Sequence, residues 1–556
     1  MKKFTHLNNK IVFITTILIF FFTQLNFIYK GGTTYDADGL RFGSSLVIEK
    51  IRRILSLNFN FQDLPYSDVE YYGLIIILPA YVFAQIMTKS LDDFEFKNFI
   101  TDDSLIYFFM HFFLLIYASA CLFIICNKLS KLINFKTSFT FLCVLILTPS
   151  FSGHALFNLK DIPYALNMFI FFLFFIESYE KITLEKLNSK ILLKLSFILS
   201  LFIVIRVNAI FFSFLLILCL IIQKKDIKIF TQTIFIVNLI KIYLLALVFL
   251  YFFTPSAWLN PSGWIYEALY QQFFDSWSGS TLTNGNFVLA SNMNWKYLLE
   301  WLVFKLPLIY HLGILATLFY LFKRQTIPVY SEVAMYFVFL VILMFIIFKP
   351  GVYDGLRQFL FLIPFLALIL SQIMIKISKD FNFSFKLIFI PLFFYLIFTQ
   401  YGLGQYRYVY FNELVNIDSV SIECKNIDGC GFWPSDYWGY SGKELAEYLN
   451  RNLINGEIKS LSRFAWRDNL TSVLVCRPAI TVNSYLDKSM NFNFLQIEDF
   501  SRSTFYVTSF HRPRYLDDSC KFTVNNISYS CKSIYVLKKR IRLNEIPLAY
   551  INECRI

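Results

Sequence analysis

Long apolar runs, each near the length of a bilayer crossing, constrain this chain more than any other feature. Residues 11–29, 104–126, 236–254, 298–321 and 328–348 are the clearest of them. A helix rises ~1.5 Å per residue and a bilayer core is ~30 Å thick, so roughly 20 apolar residues cross it. In lipid every backbone amide must be paired, which restricts spanning segments to helices or closed barrels. Hydrophobic residues make up 57% of the chain, against ~45–50% in soluble domains. The reading is an α-helical polytopic membrane protein. Its net charge of +13 is then assigned to basic residues that hold loops in the cytoplasm, not to nucleic acid.

The basic clusters set the threading. They occur at Lys128, Lys131 and Lys136; Lys181, Lys186, Lys190 and Lys194; Lys224, Lys225 and Lys228; Lys323 and Arg324; and Lys376, Lys379 and Lys386. Keeping all of them inside requires paired crossings between them. Spans then fall near 11–29, 104–126, 137–150, 162–177, 192–206, 208–222, 236–254, 298–321, 328–348, 357–375 and 386–402. That makes about eleven transmembrane helices. The apolar run 71–87 reads as a helix in or along the membrane, since a crossing there would put the Lys128 cluster outside. Arg206-Val207-Asn208 interrupts the run 191–222, which therefore reads as two short helices turning at the outer surface. The first run follows Met1-Lys2-Lys3 without a small-residue cleavage site, so it reads as a retained anchor with a cytoplasmic N-terminus.

An odd number of crossings divides the chain into a membrane module, 1–402, and an external C-terminal domain, 403–556. Residues 30–103 and the aromatic stretch 254–297, with Trp258, Trp264, Phe273, Phe274 and Trp277, are the other external pieces. The stretch 472–476 alternates like a strand and 442–450 reads as a helix, which suggests an extracytoplasmic α/β domain. Cys424, Cys430, Cys476, Cys520, Cys531 and Cys554 fall there. An even number in a non-membrane region suits disulfides in an oxidising compartment. Their spacing does not suit zinc.

With this threading, ionisable residues gather at one face. The string Thr33-Thr34-Tyr35-Asp36-Ala37-Asp38-Gly39-Leu40-Arg41-Phe42-Gly43 lies just past the first span. His154, Asn158, Lys160 and Asp161 precede the fourth span, Arg206 sits at the hairpin, and Lys349, Tyr353, Asp354 and Arg357 precede the tenth. Such a cluster at span ends is costly unless it is paired or hydrated, which makes it a candidate site. If extended, 36 and 38 point to one side and can meet one substrate or one divalent cation. The structural alternative has Asp38 capping a helix that begins near Leu40, and Asp161 capping the helix that follows it. An arginine here is suited to a lipid phosphate by its bidentate geometry.

These features resemble the C-type (GT-C) polytopic membrane glycosyltransferases. The nearest likeness is to bacterial relatives of the dolichyl-phosphate-mannose–protein mannosyltransferases and to the aminoarabinose lipid A transferases. The Asp-containing motif after the first span, Asp161 at the outer end of the fourth span and the external C-terminal domain carry the resemblance. Gly153 to Pro163, Tyr353 to Pro364, Tyr408-Val409-Tyr410-Phe411-Asn412 and Asp436-Tyr437-Trp438-Gly439 extend it over roughly residues 10–445. Where the mannosyltransferases have Asp-Glu followed by His, this chain has Asp38, Gly39 and Arg41. Either Asp36 supplies the second carboxylate or Asp38 acts alone.

The resemblance implies inverting transfer of a sugar from a polyprenyl-phosphate donor to an acceptor that is a lipid, glycan or protein. It places the chain in a bacterial inner membrane, with the C-terminal domain periplasmic. Asp36 or Asp38 would be the general base and Asp161 would orient acceptor or sugar hydroxyls. Arg41, His154, Asn158, Lys160, Arg206, Tyr353 and Arg357 would bind substrate. Leaving-group charge would fall to Lys160, Arg206 and Arg357, or to a divalent cation, Mg or Mn, held by Asp36 and Asp38. The competing readings are a flippase or transporter for a lipid-linked glycan, an en bloc ligase or polymerase, and a non-catalytic assembly protein. A transporter calls for an internal repeat and midplane charges, and the sequence has neither.

Overall fold

The computed structural model describes residues 2–61, 63–65, 67–90, 102–185, 187–273, 279–420, 432–454, 473–475, 480–486, 505–510, 523–524, 527–528, 530–541 and 544–555. It is mostly helical. The first half contains α1 (Lys2–Lys30), α2 (Tyr35–Leu55), α3 (Leu74–Ser90), α4 (Asp102–Leu132), α5 (Phe135–Ile146), α6 (Pro149–His154), α7 (Asp161–Leu184), α8 (Ser189–Ile205), α9 (Ala209–Lys224) and α10 (Thr233–Phe253). After α11 (Pro261–Phe273) and a hairpin of β1 (Ser280–Thr283) with β2 (Asn286–Leu289) come α12 (Tyr297–Lys305), α13 (Leu308–Phe322), α14 (Val329–Phe348), α15 (Leu362–Asp380) and α16 (Phe385–Gln400).

Among the described residues six helices are long and apolar enough to cross a membrane, in α1, α4, α7, α10, α14 and α15. The chain is an integral membrane protein. All eleven expected spans fall on helices, but α5, α8, α9, α13 and α16 are only 12 to 17 residues long. The segment 298–321 departs from expectation: α12 and α13 meet at 112°. Pro307, with φ −52° and ψ 142°, stands at the break, where a ring in place of an amide cannot continue the α12 hydrogen bonds. The segment 71–87 folds as α3, whose entry is fixed by the Gly73 amide on the Val204 carbonyl at 3.1 Å.

Burial ranks the helices. The apolar windows of α7 and α15 are 83% and 78% buried, against 28% for α1 and for α10. So α7 and α15 form the centre and α1 and α10 the periphery. The first turn of α7 carries Asp161, and Arg357 lies in the turn leading into α15. The charged cluster therefore sits over the middle of the bundle.

The chain beyond α16 first runs back along these helices. Gly153 in α6 packs so tightly there that an added Cβ would lie 2.2 Å from the Tyr408 amide nitrogen. The Asn412 side chain donates to the Val303 and Leu306 carbonyls at 2.5 and 2.7 Å. It thereby satisfies carbonyls released by the α12–α13 bend. Further on are α17 (Gly442–Ile454), β3 (Val473–Val475), β4 (Phe505–Phe510), the short pair β5 (Thr523–Val524) and β6 (Ile527–Ser528), β7 (Ser530–Ile541) and β8 (Asn544–Arg555). Four of these strands form a sheet in the order β3-β4-β8-β7, parallel only between β3 and β4.

Cys424, Cys430, Cys476 and Cys520 lie outside the described residues. The β7–β8 register sets Cys531 opposite Cys554. Thiol labelling of the native protein is expected to spare the C-terminal cysteines until reduction, and prompt labelling of all six would refute the disulfide expectation.

Candidate active site

Helix α2 begins at Tyr35, with Thr34 at its N-cap position, so Asp36 and Asp38 both sit in the first helical turn. Carboxylates are favoured there by the positive end of the helix dipole. This corrects the extended reading, and also the reading of Asp38 as a cap. Residues two apart on a helix point ~200° apart, and the two acids face different partners.

Asp36 turns to the centre. Its Oδ2 accepts from Arg357 Nη1 at 2.9 Å and from Lys160 Nζ at 3.4 Å. Asp38 turns to the start of α4, where Tyr107 and Arg41 each donate to its Oδ1 at 3.2 Å. Arg41 also reaches Asp103 at 2.9 Å. The Asp38 side chain is 44% exposed and that of Asp36 is 22% exposed. With separate cations and opposite directions, the pair does not fit as joint ligands of one divalent metal. Among the described residues no group of three His, Cys, Asp or Glu side chains is placed to hold one.

Arg357 is 3% exposed and lies between two rings, 4.5 Å from the Trp438 centroid and 4.8 Å from that of Tyr353. Burial disfavours its charge. The fields of Asp36 and Asp354 outweigh this and hold its pKa well above the ordinary arginine value. Asp354 in turn accepts from Trp438 Nε1 at 3.1 Å. Its own backbone is left-handed, φ +57°, followed by Gly355 at +75°. Tyr297 pins this turn, donating to the Gly355 carbonyl at 3.1 Å and accepting from its amide at 2.9 Å.

A second ion pair lies beside the first. Asp161 is bonded to Arg206 Nη2 and accepts from Asn158 Nδ2 at 2.9 Å. Asp161 is not the cap of α7: Asn158 Oδ1 accepts from the backbone amides of Lys160 and Asp161 at 3.2 and 2.9 Å. The expected hairpin is present, with α8 ending at Ile205 and α9 starting at Ala209. Tyr164 ties it to α7 through Asn208 at 2.8 Å. Lys160 rides 4.8 Å from the ring centre of Tyr72.

His154 and Asn158, expected to meet substrate, are buried, at 3% and 2% exposure. The His154 ring lies between Phe157, Tyr408 and Trp438, with Tyr437 Oη 3.2 Å from its Nε2. It supports the walls of the site. Burial pushes its pKa down to about 3, so it stays neutral while an unfolded histidine takes a proton below ~6.5. The unfolded state then binds more protons between these values, and stability falls as pH drops through that window. The thermal midpoint should decline from pH 7 to pH 5 less steeply in His154→Gln than in wild type. Equal slopes would remove His154 as the cause.

Asp436 is also structural. It is fully buried and accepts from the Tyr408 and Ser441 hydroxyls and from the Tyr440 and Ser441 amides. Trp264, in the aromatic loop, donates to the Glu70 carbonyl at 2.8 Å and stacks on Tyr71, which makes it an anchor. Phe274 and Trp277 lie outside the described residues. Asp103, Tyr107 and Trp438 join the site without having been singled out by charge position. A carboxylate opening a long apolar run was the available signal for Asp103.

No protein-family model matches the chain, and no curated protein matches it. Among solved structures it is similar to ArnT from Cupriavidus metallidurans bound to undecaprenyl phosphate, at TM-score 0.47 and 10% identity over 97% of each chain. It is similar also to the apo state of that protein, at TM-score 0.46 and 10% identity over 97% of each chain.

Proposed function

We propose that this protein is an inverting glycosyltransferase that moves a sugar from a polyprenyl-phosphate donor to an acceptor at the outer face of the membrane. One observation carries the proposal: a partly exposed carboxylate, Asp36, shares one oxygen between two cations, Lys160 and Arg357, at the N-terminal ends of the most buried helices. That is the charge layout which displacement at a glycosyl phosphate requires. The donor class and the inverting outcome come from the motif resemblance.

The acceptor hydroxyl or amine attacks C1 while Asp36 takes its proton. The bond from C1 to the phosphate oxygen breaks, and its electron pair leaves with the lipid phosphate. Lys160 and Arg357 face that developing charge. Without substrate, Asp36 is the counter-ion of both cations. A donor phosphate that takes over Lys160 and Arg357 as its own counter-ions leaves Asp36 less neutralised and more basic, so the donor prepares the base for the acceptor. Arg206, committed to Asp161, positions the floor of the site.

This reading keeps the eleven-crossing topology in a bacterial inner membrane, with the N-terminus cytoplasmic and the C-terminal domain periplasmic. The acceptor is a lipid, glycan or protein on that outer side. The test is transfer by purified protein in liposomes, using radiolabelled polyprenyl-phosphate sugars and a membrane extract as acceptor. Label should move to an acceptor fraction with wild type. Label that instead crosses the bilayer still attached to its lipid would replace this reading with a flippase.

A further inference from the structure

Away from the Asp36 cluster, a cleft of about 520 Å³ opens where the end of α1 meets α17 and β7. It falls within the ~300–1,000 Å³ of small-molecule sites. None of its lining residues belongs to the ion-pair cluster or to its walls.

No aliphatic side chain lines it; the lining is tyrosine, charged groups and one glutamine. Its apolar surface comes only from tyrosine rings and the stems of polar and charged side chains, whose heads would be stranded under an acyl or isoprenoid chain. One wall is flat: Tyr448 and Tyr535 stack at 4.1 Å and 21°. The floor is held in place, with Glu444 Oε1 accepting from Gln405 at 2.6 Å and from Tyr406 at 2.9 Å, and Lys539 3.1 Å away. Lys443 is tied to α1 by its bond to the Tyr29 carbonyl at 2.5 Å. Lys30 and Arg451 lie at the exposed rim. Four cations line the cleft against two carboxylates, Glu444 and Glu447.

A ligand for this cleft needs a dense set of hydroxyls, one weakly polar flat face and a negative group. Sugar rings present such a face to aromatic side chains, and the surplus cations favour an anionic substituent through charge-assisted bonds. We propose that the cleft binds an anionic saccharide, a sugar bearing a phosphate or a carboxylate. The proposal stands whether or not the Asp36 cluster transfers a sugar.

Titration calorimetry on the full chain, in a detergent without a sugar headgroup, tests it. The probes are glucose 6-phosphate, glucuronate, glucose and inorganic phosphate. Saturable binding is expected for at least one anionic sugar, and the tighter of the two identifies the anionic group. Glucose and inorganic phosphate should bind it at least about 10-fold more weakly. Lys30→Glu and Arg451→Glu, both at exposed positions, should each weaken it about 10-fold or more, as should Tyr448→Ala. Asp36→Asn should leave it unchanged, which separates this cleft from the transfer site. The proposal is overturned if neither anionic sugar binds, if glucose or inorganic phosphate binds as tightly, if the rim variants bind normally, or if Asp36→Asn abolishes binding.

Discussion

Asp36→Asn should lower sugar transfer by ~10²–10⁴-fold, the usual contribution of a positioned general base, with expression and folding retained. Asn keeps the size of the side chain and an acceptor oxygen for Arg357 and Lys160, but cannot take a proton. Asp38→Asn should cost far less. Asp38 is 44% exposed and serves Arg41 and Tyr107 at the start of α4, and exposed pairs of that kind contribute ~0–1 kcal/mol. The sequence motif alone left the two acids as alternatives, with Asp38 in the better motif position. Helical geometry separates them, because only Asp36 faces the cations that a phosphate needs. Initial rates for the two variants and wild type, at saturating donor, decide the matter. Loss of activity in Asp38→Asn with Asp36→Asn active would reverse the assignment.

The sequence resolved what lipid and charge enforce directly. Lys160, Asp161, Arg206 and Arg357 were placed together because each ends an apolar run on the same side, and the structure joins them. The Arg206 hairpin was legible because a charge cannot sit in the middle of a span. The start of α2 at Tyr35 was not, because its polar first turn looks like a loop, and the helical alternative began only near Leu40. Its signal was present but faint: Ala37, Leu40, Ser44 and Val47 follow a helical period and are among the residues that pack inward. Two polar members in the first turn masked it. Trp438 illustrates a different limit. It reaches Arg357 from more than eighty residues further along the chain, through a segment that folds back over α6, and no local pattern encodes that return. His154 shows the same limit, because the tight Gly153 contact with Tyr408 that sets it against the aromatic wall is made across the chain.

Arg206→Met should cause one of the largest losses of stability available in the membrane module. The side chain of Asp161 is 4% exposed and that of Arg206 18%. Burial disfavours the Arg206 charge, and Asp161 more than restores it, so the pair is held ionised by mutual need. Removing the arginine takes away the cation bonded to a buried carboxylate and leaves it Asn158 and the weaker fields of Arg357 and Lys160, a change that costs up to ~3–5 kcal/mol. Asp161→Asn in the same chain removes the stranded charge and should recover most of that loss. The thermal midpoints of the two single variants and the double variant in detergent give the coupling. A double variant no more stable than Arg206→Met would show that the two charges do not depend on each other. Arg206 would then be available to a substrate phosphate, and the division of labour among the three cations would fail. Lys160 and Arg357 differ from Arg206 in sharing a carboxylate that is partly open to solvent, so a ligand can replace that carboxylate as their counter-ion. Asp161 is closed off, and its arginine has no comparable exchange to make.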